Sequence, residues 1–307
     1  MTSMDRTLVI GEALVDIVRR PDGSTTEFVG GSPLNVALGL ARLGQSVDFA
    51  TRYGDDERGH RIAAHLASGG VHVLEGSTTA DHTSTALAEL DSAGAAAYTF
   101  NLTWDLRRVP VPVGTGHVHT GSIAAVLEPG GTAVVETLAA ARPGATVSYD
   151  PNVRTAIMVD LDLARVRIEE VIAHCDVVKA SDEDLEALYA GMPVPEVLHH
   201  WGRLGPALIV VTRGADGVVF GVARTGEVAS APTVATSVVD TVGAGDSFMA
   251  GLISGLLADG LLGGPQARRR LREATLADVR AAVERGLACS GLTVARAGAY
   301  APSLAEL

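Results

Sequence analysis

The stretch VDTVGAGDSF, residues 239–248, places a glycine turn between two carboxylates and leads into an apolar helical pattern at 249–257. A glycine turn that opens a helix presents unpaired backbone N–H groups at the positive end of the helix dipole, where anions bind. Gly243, Ala244 and Gly245 are therefore candidates for an anion-binding turn. Such a turn can stabilise the negative charge of a phosphoryl group during transfer.

The aspartates on either side of this turn need a separate explanation, because a carboxylate repels a bound phosphate. Asp246 avoids this conflict if it faces the acceptor alcohol and takes the proton of the attacking hydroxyl. Asp240 is then available for another task, such as binding a cation. The simpler alternative is a plain strand-turn-helix corner that Asp246 caps. A dinucleotide fingerprint is disfavoured, since Phe248 stands where its third glycine belongs.

The composition favours small-molecule ligands. The 307 residues include 36 acidic and 24 basic side chains, a formal charge of −12, which opposes nonspecific binding to nucleic acid or to an anionic membrane. The basic cluster ARRRLR, 267–272, is interpreted as a solvated helix face. The longest apolar run, 248–258, falls short of the ~20 residues of a membrane span. We therefore expect neither nucleic-acid nor membrane partners.

Other features indicate a cytoplasmic protein without a P-loop. Cys175 and Cys289 lie far apart in the sequence and are interpreted as reduced thiols. The first ten residues, MTSMDRTLVI, lack the apolar core of a signal peptide. Lys179 is the only lysine of the chain, so no Gly-Lys-Ser/Thr sequence of a Walker A loop exists. Any nucleoside triphosphate must be bound in another way.

Short β-rich runs alternate with helical patterns along most of the chain. The runs are TLVI from Thr7, SVDFA from Ser46, VHV from Val71, HVHT from His117, TVSY from Thr146, DVVK from Asp176 and ALIVV from Ala207. This alternation predicts βαβ units and a parallel sheet covered by helices. The first helix is predicted to begin with Ser32 as its cap and Pro33 in its first turn, and to end at Gly44.

Two segments, 12–30 and 82–101, interrupt this alternation. Both alternate small apolar and polar residues, as exposed antiparallel strands do, and DSAG at 91–94 is a predicted turn. We interpret them as a small β lid inserted into the α/β body. Extra edge strands that do not move have the same periodicity and remain an alternative.

Several motifs resemble those of the ribokinase-like (PfkB-type) sugar kinases. The two signature motifs are DTVGAGD at 240–246 and GGSPLNVA at 30–37. GEALVD at 11–16, GDDERG at 54–59, DPNVR at 150–154 and VTRGADG at 211–217 agree as well. The resemblance extends over about residues 7–302 and is strongest to the fructokinase branch.

This resemblance implies a ribokinase-like α/β fold: a doubly wound, mostly parallel sheet with a small inserted β-strand lid. The body would comprise residues 1–11, 31–81 and 102–307, and the lid residues 12–30 and 82–101. The implied activity is ATP-dependent phosphorylation of a sugar hydroxyl, with Asp246 as the base and the turn Gly243, Ala244 and Gly245 as the anion hole.

The same resemblance implies which residues bind the sugar. Asp16, Gly30, Gly31, Asn35 and Arg154 would contact the substrate. A carboxylate accepts hydrogen bonds from two hydroxyls, an amide donates and accepts, and glycine lets a ligand approach the backbone. Each residue also has a simpler interpretation: an exposed strand residue, a turn, a hydrogen bond within a helix, or a surface salt bridge.

On the nucleotide side the resemblance points to Thr212 and Gly214, together with Thr241, Gly243 and Gly245. A hydroxyl and a bare backbone at such positions can approach phosphate oxygens. An ordinary strand end followed by a turn would have the same sequence.

The sequence departs from the family's pattern at one of the metal sites. The family's Asn-x-x-Glu motif, which organises magnesium-bound water, is replaced here by Ser181 and Asp184 within SDED, 181–184. Mg²⁺ is still expected because it bridges nucleotide phosphates, with Asp184 as a candidate and Asp182 and Glu183 as alternatives. An ordinary helix start rich in acidic residues would have the same sequence. Many members also use K⁺, which here would lie near Asp240 and the segment 292–299.

The acceptor stays open at this point. Fructose is favoured, but ribose, 2-keto-3-deoxygluconate, inositol or a sugar phosphate are alternatives within the same fold. A noncatalytic sugar or nucleotide sensor is the alternative from another class. A homodimer that pairs through the lid is possible, because family members often pair in this way.

Overall fold

The computed structural model describes residues 6–91 and 96–307. Two segments interpreted from the sequence fall partly outside this range. They are the N-terminal segment considered for a signal peptide, at residues 1–5, and the predicted turn at 91–94, at residues 92–94. The strands are β1 (Arg6–Ile10), β2 (Leu14–Arg19), β3 (Thr25–Gly30), β4 (Ser46–Ala50), β5 (His72–Val73), β6 (Thr85–Leu90), β7 (Ala96–Asn101), β8 (Thr115–Gly121), β9 (Thr146–Asp150), β10 (Val177–Ser181), β11 (Leu208–Thr212), β12 (Val218–Val222) and β13 (Val228–Ala231). The helices are α1 (Ser32–Arg42), α2 (Glu57–Ser68), α3 (Gly130–Ala141), α4 (Leu161–Ile172), α5 (Asp182–Tyr189), α6 (Val194–Leu204), α7 (Ala244–Ala258), α8 (Pro265–Glu273) and α9 (Leu276–Val294).

The large sheet has the strand order β13-β12-β11-β10-β9-β8-β1-β4-β5. From β11 to β5 all neighbouring strands are parallel, which confirms the predicted βαβ units. Strand β1 lies between β4 and β8, so the chain winds outward from it in both directions. In such doubly wound sheets the carboxyl ends of the strands frame a crevice where ligands bind.

The last two strands of this sheet, β12 and β13, are antiparallel and were not predicted from the sequence. Only residues 213–217 separate β11 from β12. So short a connection permits a hairpin but not the crossover that a parallel pair needs. The sheet is therefore mostly, not wholly, parallel.

Helices cover both faces of the large sheet because its strands are apolar on both sides. In β1, the fully buried Val9 belongs to a core cluster that includes residues of α1, α2, α7 and α9, whereas Leu8 and Ile10 belong to a second cluster that includes residues of α3 to α6. Helix α7 lies close against α9: a Cβ on Gly251 would lie 2.8 Å from Cys289 Sγ. This close packing fixes the position of α7 and of the glycine turn that precedes it.

A separate small sheet, with the order β3-β2-β6-β7, lies beside the body. Its outer pairs are antiparallel, and β2 and β6 are parallel. Glu27 of β3 joins this small sheet to α2, since its carboxylate accepts hydrogen bonds from Arg58 and Arg61, each 2.5 Å long. Phe28 and Tyr98 are 50% and 60% exposed. The division into body and lid and the pairing of two chains through these strands stay predictions.

Two details of the sequence interpretation were wrong. The cap of α1 is Gly31, and Ser32 is the first helical residue, with no side-chain cap. The basic cluster is only partly solvated, because Arg268 hydrogen bonds to the buried carboxylate of Asp176 (2.7 Å) and to the carbonyl oxygen of Arg142 (2.7 Å). Among helices in the described ranges, none combines the length and the apolar composition that a bilayer crossing needs.

Candidate active site

The glycine turn at the start of α7 has the backbone geometry that an anion site requires. Gly243 caps the helix in the left-handed conformation, with φ 75°. The Ala244 N–H donates to the Thr241 carbonyl (3.2 Å), whereas the Gly245 N–H has no acceptor within the described part of the chain. The N–H groups of a first helical turn have no intrahelical partner. The turn can therefore donate hydrogen bonds to an anion, chiefly from backbone N–H groups other than that of Ala244.

Asp246 lies in the first turn of α7 and faces the start of α1. Its Oδ1 accepts a hydrogen bond from Ser32 Oγ (2.6 Å), and its Oδ2 accepts one from Asn35 Nδ2 (2.7 Å). The amide of Asn35, predicted to bind sugar, thus touches the predicted base directly. Two helix N-termini meet at this carboxylate, and both hydrogen bonds fix its orientation.

The predicted sugar residues Asp16, Gly30 and Gly31 lie together at the base of the small sheet. A Cβ on Gly30 would lie 2.2 Å from Asp16 Oδ2, so glycine leaves the space that this carboxylate occupies. Gly31 has φ 116°, and its Cβ would lie 2.5 Å from the Glu12 carbonyl oxygen. Asp16 is still reached by solvent, yet desolvation by its surroundings raises its pKa, which Arg154 partly opposes.

Arg154 follows β9 and is exposed, with only a long hydrogen bond to the adjacent Val153 carbonyl (3.4 Å) among those of the described residues. Its charge acts on both Asp16 and Glu12. Glu12 was not predicted as a site residue. Burial raises its pKa to about 8, against the opposing effects of hydrogen bonds, including one with Ser122, and of Arg154. An acidic residue two positions after a buried strand was the available signal.

The predicted nucleotide residues lie at the carboxyl end of β11 and before the glycine turn. Thr212 Oγ1 donates weakly to the Ala180 carbonyl (3.3 Å). Gly214 has φ 48° and open space around it, and Thr241 is exposed. These groups lie at the same edge of the sheet as the glycine turn. Gly214 and Thr241 are exposed to solvent, and Thr212 is half-buried.

Asp184 is buried and holds backbone groups together. Its Oδ2 accepts from the Ser181 N–H (2.7 Å) and its Oδ1 from the Val153 N–H (2.6 Å). Ser181 Oγ in turn accepts from the Asp184 N–H (3.0 Å), which completes a capping box. The sequence SDED therefore has a local structural role in starting α5 and fixing the loop after β9.

Asp240 links the segment before the glycine turn to the late segment 292–299. Its Oδ1 accepts from the Val242 N–H (3.0 Å) and its Oδ2 from the Gly298 N–H (2.8 Å). These hydrogen bonds lower its pKa. Within residues 6–91 and 96–307, no group of three or more His, Cys, Asp or Glu side chains forms a ready metal site.

The single lysine, Lys179, lies at the candidate site and was not among the predicted site residues. It is 4% exposed in the middle of β10, and its Nζ lies 2.9 Å from Asp150 Oδ2. A Cβ on Gly245 would lie 2.9 Å from this Nζ. A lysine within an otherwise apolar strand was the available signal, since lysine is almost never fully buried without a partner.

Comparisons with known proteins identify the family of this chain. The sequence matches the family described as pfkB family carbohydrate kinase over residues 4–306. It is 36% identical over 263 residues to a fructokinase of Klebsiella pneumoniae, covering 82% of this chain and 85% of that protein.

Solved structures show the same fold. A fructokinase double mutant of Vibrio cholerae O395, bound to fructose, ADP and potassium ion, matches with a TM-score of 0.81 at 26% identity, over 99% of this chain and 96% of the other. A fructokinase of Xylella fastidiosa with bound ATP matches with a TM-score of 0.84 at 25% identity, over 99% and 97%. The protein thus has the fold of the ribokinase-like sugar kinases. The chain belongs to the pfkB family of carbohydrate kinases, and its predicted class, an ATP-dependent carbohydrate kinase, is confirmed.

Proposed function

We propose that this kinase transfers the terminal phosphoryl group of ATP to fructose and forms fructose 6-phosphate. One observation carries the proposal: Asp246 is held by Ser32 and Asn35 directly beside the glycine turn that opens α7. A base and an anion site side by side are the two parts that phosphoryl transfer to an alcohol needs. The similarity to fructokinases supports fructose as the acceptor.

In the proposed reaction the sugar lies between the small sheet and the body. Asp16 and Arg154 offer a carboxylate acceptor and a guanidinium donor to its hydroxyls, and Gly30 and Gly31 let the ring approach the backbone. The attacking hydroxyl gives its proton to Asp246. The N–H groups of the glycine turn stabilise the charge on the phosphoryl group as it moves from ATP to the sugar, with ADP as the leaving group. In this proposal the small sheet acts as a lid. The hydrogen bonds from Arg58 and Arg61 to Glu27 would hold the lid against α2 in one of its positions.

We further propose that Mg²⁺ accompanies the nucleotide. The donor set fits: the exposed Asp182 and Glu183 supply hard oxygen atoms at the start of α5. Asp184 uses one lone pair of each oxygen for a backbone N–H and retains others for a magnesium-bound water. When bound, the ion neutralises phosphate charge. K⁺ is proposed near Asp240, because that side chain holds the carbonyl-bearing segment 292–299 in place.

The acceptor test measures ADP release from ATP with fructose, ribose, 2-keto-3-deoxygluconate, inositol and fructose 6-phosphate. We expect selective turnover with fructose that requires magnesium and falls when potassium is replaced by tetramethylammonium. Turnover with another acceptor alone contradicts the fructose assignment. Ligand-induced stabilisation without ADP release from any acceptor supports the sensor alternative instead. An unchanged rate without potassium contradicts the K⁺ proposal.

Replacing Gly30 by alanine tests the sugar contacts. The new Cβ would lie 2.2 Å from Asp16 Oδ2, and that flexible carboxylate can rotate away at little cost in stability. We expect the KM for the sugar to rise about tenfold or more, with a smaller change in kcat and in melting temperature. Steady-state kinetics and thermal unfolding measure this. Gly144→Ala, at a glycine with an ordinary φ and only a 3.9 Å neighbour, is the matched control. A parental KM in Gly30→Ala would remove Asp16 from the proposed sugar contacts.

A further inference from the structure

The buried ammonium group of Lys179 lies directly behind the glycine turn. A Cβ on Gly245 would lie 2.9 Å from Lys179 Nζ, so a side chain at this position would displace the ammonium group. Gly245 has an ordinary negative φ, because it lies within α7 and is absent from the glycines with positive φ. Backbone conformation therefore does not explain the glycine, whereas the neighbouring ammonium group does.

Lys179 is charged in this setting. Burial acts to lower its pKa, but the attraction of Asp150, then of Asp184 and Asp246, outweighs this effect and raises it. His119 of β8, which is separated from β10 by β9, is neutral, since burial lowers the pKa of this imidazole to about 3. A single buried cation thus stands among carboxylates and a neutral ring.

The ion pair with Lys179 leaves one oxygen of the Asp150 carboxylate without a hydrogen bond in the described part of the chain. The Asp150 Oδ2 accepts from Nζ at 2.9 Å, whereas Asp150 Oδ1 is buried with no hydrogen-bond partner among the described residues. A buried ion pair is weak evidence for stability, because desolvation of both charges offsets their attraction. The cost of burying the only lysine of the chain therefore calls for a role beyond holding the fold together.

We propose that Lys179 is an electrostatic positioning residue, whose fixed charge behind Gly245 strengthens the anion-binding turn and holds the terminal phosphates of the nucleotide there. This inference rests on the proposed placement of the transferred phosphoryl group at the turn. Its charge acts through a water-excluded, low-dielectric region, where electrostatic interactions are stronger than in water. The ammonium group also balances Asp150, Asp184 and Asp246, whose charges otherwise repel an incoming phosphate.

The test compares Lys179→Met/Asp150→Asn with Asp150→Asn. The single substitution Lys179→Met leaves the buried carboxylate of Asp150 without its partner and can prevent folding. Asp150→Asn is the better reference, because Asp184 and Asp246 still balance the charge of the ammonium group. The double variant contains no buried charge at either position, and it differs from Asp150→Asn only in the ammonium group. Thermal unfolding first establishes that both variants fold. Calorimetric titration with ATP and with AMP, followed by kinetics with ATP and fructose, then measures the contribution of the charge.

We expect the double variant to bind ATP about tenfold more weakly than Asp150→Asn, with AMP affinity equal in both, since AMP lacks the terminal phosphates. We also expect kcat to be about 10- to 100-fold lower, with the KM for fructose nearly equal. Equal ATP affinity in the two variants, or an equal loss for ATP and AMP, overturns the proposal. If the parent chain phosphorylates no sugar, the proposed function fails, while the comparison of ATP with AMP still decides the role of Lys179.

Discussion

Asp246→Asn is expected to lower kcat by about 10²- to 10⁴-fold, the range that positioned general bases contribute. Asparagine retains the shape of the side chain and can still accept from Ser32 Oγ, which lies 2.6 Å from Asp246 Oδ1 in the parent. It cannot take the proton of the attacking hydroxyl. We therefore expect kcat to fall while the KM for the sugar and the affinity for ATP change much less.

Asp259→Asn is the matched control for this experiment, because Asp259 is an exposed aspartate at the opposite end of the same helix. It should leave kcat at the parental value. The measurement is steady-state ADP release by parent and variants, together with thermal unfolding to establish that all three fold. A near-parental kcat in Asp246→Asn shows that another group accepts the proton and contradicts the proposed mechanism.

Gly243→Ala is the second substitution with a large expected effect. Gly243 has φ 75°, which an alanine adopts only at a cost of about 1–2 kcal/mol. Its Cβ would also lie 2.6 Å from Ala299 Cβ, so the turn or the segment 292–299 must move. We expect kcat to fall at least about 100-fold, since a displacement of about 1 Å at the phosphoryl site is enough for this, and the unfolding free energy to fall by about 1–3 kcal/mol.

Gly70→Ala separates strain from displacement. Gly70 has φ 79°, almost the same as Gly243, but nothing lies within 4 Å of its Cβ position. We expect strain from the positive φ to lower the unfolding free energy of Gly70→Ala, while its kcat stays at the parental value. Denaturant unfolding and steady-state kinetics of both variants measure the two effects. Similar kinetics in Gly243→Ala and the parent would show that the turn does not position the reacting phosphate.

The sequence indicated the local structure of the site because that structure depends on near neighbours. The turn before α7 begins where two glycines interrupt an apolar pattern, and Gly243 has the left-handed φ that glycine tolerates. The strand runs of the parallel sheet were predicted correctly for the same reason. The hairpin of β12 and β13 was not predicted, because beyond β11 no helical pattern alternates with the strands.

The acidic start of α5 shows how one pattern has two meanings. SDED, 181–184, was interpreted as a substituted form of the family's metal motif, with an acid-rich helix start as the alternative. The structure places Asp184 in a capping box and in a hydrogen bond with the Val153 N–H. The first use was visible in the sequence, because Ser181 and Asp184 have capping-box spacing. The second was not, since Val153 belongs to a loop 31 residues earlier. The assignment of magnesium to this carboxylate stays a prediction.

The sequence by itself determined the class of fold, the glycine turn and the identity of Asp246 as the candidate base, because each follows from residue types within a few positions of one another. Only the tertiary structure brought Ser32 and Asn35 to Asp246, across 214 and 211 residues, and the Nζ of Lys179 behind Gly245. Those contacts depend on how α1 and α7 pack on the sheet and on which face of β10 each side chain occupies. Local patterns specify elements, whereas side chains from distant elements meet only after the core has packed.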